Sequence, residues 1–215
     1  MFGILKELIV FKYLKYENGM LKLGDEPMLF INLFPLIEEY RMHTTREGLD
    51  YNILNYMAFY QSGYNFVRDH TLPLAKILPK VVGVSCELFE AIGWGKSYAF
   101  KVNDKQNILI MKSKSSTFAD TLKKMHGPQE TPVDFRMSGI FAGSTRFYSK
   151  EDIECVEVAC RAEKDVMECD FIAASPGNIL DYIDKYYPER HQYAEKVLTR
   201  ITELKRELKF KLEDG

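Results

Sequence analysis

Ile153-Glu154-Cys155-Val156-Glu157-Val158-Ala159-Cys160 and, after the charged segment Arg161–Glu168, Cys169-Asp170-Phe171-Ile172-Ala173 are two β-prone runs in succession. Read as a pair of strands, they predict a hairpin. They also place two thiols and a carboxylate at the end where the strands are joined. In a chain with four cysteines in all, that is a donor set a divalent metal accepts, because thiolates and carboxylates suit tetrahedral Zn²⁺. Alternation resists the idea at one point. Glu157 and Cys160 lie three residues apart, so an ideal strand sends their side chains to opposite faces. Joint ligation needs a β-bulge, or the end of regular pairing, between them. The alternative is that Cys160 and Cys169 are small buried hydrophobes, as free cysteines often are.

Outward from this hairpin the chain reads as α+β. Leu8–Leu14, the turn Glu17-Asn18-Gly19 and Met20–Leu23 predict an N-terminal hairpin. Helices are predicted from Pro35 to about Thr45, from Leu49 to Asp69 and from Leu74 to Ile92. The second has Ile53, Tyr56, Met57, Tyr60, Tyr64 and Val67 at helical spacing. Tyr98–Val102 and Asn107–Met111 predict another hairpin, followed by helices over Thr117–Met125 and Pro132 to about Tyr148. Beyond the cysteines, helices are expected at Asn178–Tyr186 and Pro188–Leu212. The expectation is a mainly antiparallel sheet built from hairpins and flanked by helices, with a long C-terminal helix. Residues 1–186 form one domain in this reading, and 187–215 a helix that either packs on it or dimerises through Ala194, Val197, Ile201, Leu204 and Leu208.

Composition narrows the function. A chain of 215 residues, 46% hydrophobic and 28% charged with net charge -2, is ordinary for a globular protein. That charge argues against direct nucleic-acid binding. No secretory leader or long apolar run is visible, so a cytoplasmic protein that does not enter membranes is expected. Reducing surroundings favour metal ligation over disulfides for the clustered thiols. Cys86 and Cys155 have no partner at ligand spacing and read as core. Hydride chemistry lacks support, since no Gly-x-Gly-x-x-Gly follows a strand and no further cysteine run offers an iron–sulfur site.

Pro132-Val133-Asp134-Phe135-Arg136-Met137-Ser138-Gly139-Ile140-Phe141-Ala142-Gly143, then Glu157-x-x-Cys160 and Cys169-Asp170-Phe171, resembles the 4-vinyl reductase domain family. The likeness spans about residues 108–175 and includes Ser116-Thr117-Phe118-Ala119. Related domains form the effector-sensing module of phenol- and xylene-responsive activators, and their fold is α+β. The resemblance implies a structural zinc held at Asp134, Glu157, Cys160 and Cys169. Asp134 stands where those sensors carry a cysteine, and His126 is the substitute candidate. It also implies a cavity for an apolar or aromatic ligand between helices and sheet, with Tyr60, Tyr64, Phe66, Trp94, Phe100 and Phe118 as candidates.

The glycine pair Gly139-x-x-x-Gly143 suggests that its helix lies tight against the sheet, or leaves ligand space beside Ile140, Phe141 and Phe147. Three function classes follow: a zinc-stapled small-molecule sensor acting as a homodimer, an interaction subunit, and, with the weakest support, a vinyl-group reductase.

Overall fold

The computed structural model describes residues 14–17, 20–23, 26–28, 33–68, 86–87, 89–90, 93–103 and 108–211. The N-terminal hairpin pairs β1 (Leu14–Glu17) with β2 (Met20–Leu23), and β3 (Glu26–Met28) adds a third antiparallel strand. Glu17, read from sequence as turn, is a strand residue paired with Met20; the rest of the expected turn, 18–19, lies outside the described residues. Apart from Leu14, the strand expected over 8–14 lies outside the described residues. So does most of the helix expected over 74–92.

The main sheet has the order β4-β5-β7-β6, with every neighbouring pair antiparallel. Its strands are β4 (Gly95–Asn103), β5 (Ile108–Ser116), β6 (Glu154–Ala159) and β7 (Cys169–Ala174). All six residues of β7 are buried, as befits an inner strand covered on both faces. Among the described residues six α-helices accompany the main sheet: α1 (Leu33–Glu47), α2 (Leu49–Phe66), α3 (Thr117–His126), α4 (Phe135–Ser149), α5 (Pro176–Tyr186) and α6 (His191–Glu207). The fold is α+β, and no helix among the described residues is long and apolar enough to cross a membrane.

Helix α4 lies between the sheet and α2. Phe141 points to the sheet and meets Phe171 of β7 edge to face, with ring centroids 5.1 Å apart. The glycine face turns the other way, which corrects the expectation that it packs on the sheet. A Cβ on Gly139 would lie 2.3 Å from the Tyr56 carbonyl oxygen, and one on Gly143 would lie 1.9 Å from that of Tyr60. Gly63 of α2 returns the contact, facing the Ile140 carbonyl at 2.4 Å from its would-be Cβ. One helical turn separates the two glycines of α4, so both fall on one face, and the two backbones touch along it.

Helix α6 runs beside edge strand β6 and buries Ala194, Val197, Leu198, Ile201 and Leu204. The apolar stripe is therefore used within the chain, and it covers a sheet edge that would otherwise offer unpaired backbone groups. Leu208, at the end of the stripe, stays exposed. Arg200 ties the helix to the start of α2 by a two-pronged pair with Asp50, at 2.7 and 2.8 Å. Below it the buried Glu154 carboxylate accepts from Tyr56 of α2 at 2.6 Å and pairs with Lys205 of α6.

Candidate metal centre

Regular pairing between β6 and β7 slips where the ligand chemistry requires it. Glu157 is opposite Phe171, but Ala159 is opposite Asp170, so Val158 is the extra residue of a bulge. The bulge resets the alternation and turns Glu157 toward the side where Cys160 leaves the strand. Cys169 opens β7 directly across the gap. One oxygen of Glu157 and the sulfurs of Cys160 and Cys169 consequently lie within 4.8 Å of one another, all buried. A tetrahedral zinc site with Zn–S near 2.3 Å and Zn–O near 2.0 Å sets its ligand atoms roughly 3.3–3.8 Å apart, so small side-chain adjustments close the difference.

The surroundings hold this group from several sides. Glu157 Oε2 accepts the Asp134 backbone N–H at 2.8 Å, while Oε1 is buried without a hydrogen-bond partner. An orphaned oxygen on a buried carboxylate that is grouped with two sulfurs is one that a cation satisfies. Cys169 Sγ accepts the Arg161 N–H at 3.2 Å. The connecting loop is fastened by Glu163, whose carboxylate accepts the Cys160 N–H at 2.9 Å and pairs with Arg190 at 2.6 Å. Lys123 of α3 donates to the carbonyls of Arg161 and Glu163.

Electrostatics follow from that crowding. Burial pushes the Glu157 carboxyl well above the usual range, and the neighbouring Cys160 and Asp134 add to the effect. Burial also opposes the Cys160 thiolate, but hydrogen bonds from the Cys169 thiol and from backbone groups at Ala162 and Val133 outweigh it and lower its pKa. Cys169 moves the opposite way, because its proton is held against Cys160 and burial favours the neutral thiol. Glu157 and Cys169 in dry protein thus keep protons that a divalent cation would displace.

The other expected ligands are placed elsewhere. The Asp134 carboxylate caps α4, accepting the Met137 N–H at 3.2 Å, and also takes the Ser116 hydroxyl at 2.7 Å. Its backbone, not its side chain, meets Glu157. Both Asp134 carboxylate oxygens are thus engaged, and the residue is not among the three grouped donors. His126, at the end of α3, pairs through Nε2 with Glu38 of α1 at 2.9 Å. Cys86 and Cys155 are buried and stand outside the group of three.

The aromatic candidates fall into separate clusters. Phe66 and Trp94 pack with Phe89, and Trp94 also meets Phe59. Phe118 meets Tyr40 at 5.0 Å with the Arg136 guanidinium over its face. Tyr64 meets Phe147, Tyr60 donates to the Ile153 carbonyl, and Ile140 sits on the glycine seam. The side chain of Phe100 lies outside the described ones. Beside Glu157, a void lined by Phe135, Ser138, Tyr193 and Val197 is too small to admit water. Sequence pattern offered no sign of Glu163 or the Glu154–Tyr56–Lys205 group, whose members meet only through tertiary packing.

No family model and no curated protein matches this chain. Among solved structures it is similar to the phenol-responsive sensory domain of the transcription activator PoxR, crystallised with phenol. The TM-score is 0.71 at 14% identity, covering 89% of this chain and 94% of that one. A vinyl-4-reductase family protein from Methanocaldococcus jannaschii also matches, with TM-score 0.41 and 15% identity over 68% of this chain and 97% of that one. At that level of likeness this chain shares the fold of the PoxR sensory domain.

Proposed function

We propose that this chain is a binding or sensing domain for a small apolar or aromatic molecule, with a structural zinc ion bound at Glu157, Cys160 and Cys169. The observation that carries the metal half is the buried group of three donors, in which Glu157 keeps one oxygen, Oε1, without a hydrogen-bond partner. The donor set, two sulfurs and one oxygen, suits zinc and not a hard cation such as Mg²⁺. Zinc there would clamp the joined ends of β6 and β7, and a cytoplasmic setting would keep the thiols reduced for it. The ligand half is supported by the fold shared with a domain crystallised with phenol.

The reading includes a homodimer. Since the apolar stripe of α6 is buried within the chain, such a contact would use other surfaces, where Met42 of α1 and Leu54 of α2 are exposed. Direct contact with nucleic acid is not part of it.

Elemental analysis of the purified protein, with melting curves before and after chelation, tests the metal. Zinc near one equivalent and a lower melting temperature on its removal are expected, because metal bound only to the folded state adds to folding free energy. Protein that carries no metal and melts unchanged with or without added zinc would overturn the clamp. Small phenols that raise the melting temperature support sensing, and a panel with no effect counts against it.

A further inference from the structure

At the opposite end of α4 from Asp134, roughly 20 Å along a helix rising 1.5 Å per residue, a cleft of about 600 Å³ opens between helix ends. Tyr60 and Tyr64 of α2, with Phe210 beyond α6, form its aromatic wall. Around them stand Arg146 and Lys150 from the end of α4, Lys205 of α6, and Lys211, against a single lining carboxylate, Asp152. Lys205 is already committed, paired with the buried Glu154 and 4.3 Å from the centre of the Tyr60 ring.

The other three cations differ from their counterparts elsewhere. Arg161, Arg190 and Arg200 each hold a carboxylate. Among the described residues Arg146, Lys150 and Lys211 enter no ion pair, and Lys150 lies over the Phe147 ring at 4.4 Å. Cations near a helix C-terminus offset the negative end of its dipole, which explains Arg146 or Lys150 singly. It does not explain why cations from two helix ends converge on one aromatic-walled concavity.

The geometry points to this cleft as a binding site for a small organic anion that carries an aromatic ring. The ring packs against Phe210, which the buried Tyr60 backs, and a carboxylate or phosphate group takes Arg146, Lys150 and Lys211. The volume lies within the usual range for small-molecule sites, roughly 300–1,000 Å³. Arg146 is half-buried while Lys150 and Lys211 are exposed, so the anion keeps part of its hydration and its desolvation cost stays small. The site is separate from the metal centre and does not depend on the sensing of a neutral phenol.

Calorimetric titration of the full metal-loaded chain tests it, with phenyl phosphate and benzoate as probes. Inorganic phosphate supplies charge without a ring, and phenol supplies a ring without charge. At least one probe should bind about tenfold or more tighter than inorganic phosphate, and the better probe identifies the anionic group. The double variant R146A/K150A should weaken that binding about tenfold or more, while the lost dipole and ring contacts lower the melting temperature by no more than about 8 °C and leave the protein folded. Equal affinity for inorganic phosphate would reduce the site to a patch of charge and overturn the proposal. Displacement of the probe by an equal concentration of phenol, full affinity in the double variant, or no heat from either probe up to about 10 mM would overturn it as well.

Discussion

Replacing Gly143 by alanine tests the seam on which the helical layer depends. The added methyl would sit 1.9 Å from the Tyr60 carbonyl oxygen, about 1.5 Å inside the 3.4 Å at which ordinary contact begins. The obstacle is backbone on both sides, so no rotamer change relieves it and α2 must separate from α4. Inserting a methyl into a closed core costs typically about 1–3 kcal/mol, and a backbone clash belongs at or above the top of that range. Alanine returns up to about 1 kcal/mol of helix propensity, which leaves a net loss of about 2–3 kcal/mol. For a chain of this size each kcal/mol lowers the melting temperature by about 2–4 °C, so a drop of about 4–12 °C is expected. Gly177 in the first turn of α5 is the control, because a Cβ there meets nothing within 4 Å. Gly177→Ala should be neutral or stabilising by up to about 1 kcal/mol. Circular dichroism melts of both variants, with metal saturating, provide the readout. A Gly143→Ala protein that melts together with the Gly177→Ala control would refute the backbone contact.

Cys160→Ser should lose bound metal, and its melting temperature should match that of chelated wild type within a few degrees; retention of a full equivalent of zinc would count against Cys160 as a ligand. Asp134→Ala removes a helix cap and should cost about 1–2 kcal/mol whether or not metal is present. A penalty seen only in the metal-loaded protein would make Asp134 a ligand after all. Tyr56→Phe leaves the buried Cys155 N–H without its acceptor and Glu154 without a donor. Urea unfolding should show a loss of about 1–3 kcal/mol. Burial, the largest influence on Glu154, holds its carboxyl above the ordinary 4.5 in spite of Lys205 and Tyr56. The folded state thus keeps this proton longer than the unfolded chain. Its contribution to stability is fully present below about pH 4.5 and declines as pH rises through the raised value. Glu154→Gln should flatten that decline in urea melts taken across pH 4 to 8, and an unchanged slope would reject the assignment.

Much of the architecture was legible because it is written in local periodicity. Helical spacing from Ile53 to Val67 announced α2, and β-prone runs announced β4 to β7, although β5 runs on to Ser116, five residues past the expected end at Met111. Glu157, Cys160 and Cys169 were legible by donor type, and strand alternation even required the irregularity found at Val158. The glycine face was misplaced because periodicity shows that Gly139 and Gly143 share a side but not which neighbour lies opposite. Asp134 was expected beside the thiols, yet the nearest unsatisfied groups to its carboxylate are the Met137 N–H and the Ser116 hydroxyl. Capping of its own helix engages it first.

What the sequence determined by itself is the class of fold and the donor types that the cysteine hairpin gathers, since both depend on residues close together along the chain. Only tertiary structure decided that α4 sits backbone to backbone on α2, that α6 closes the sheet edge, and that cations at two distant helix ends share one cleft. Those features join residues tens of positions apart, from Tyr60 to Lys205. Their meeting depends on which buried surfaces match in shape, a property of the packed whole that no local pattern encodes.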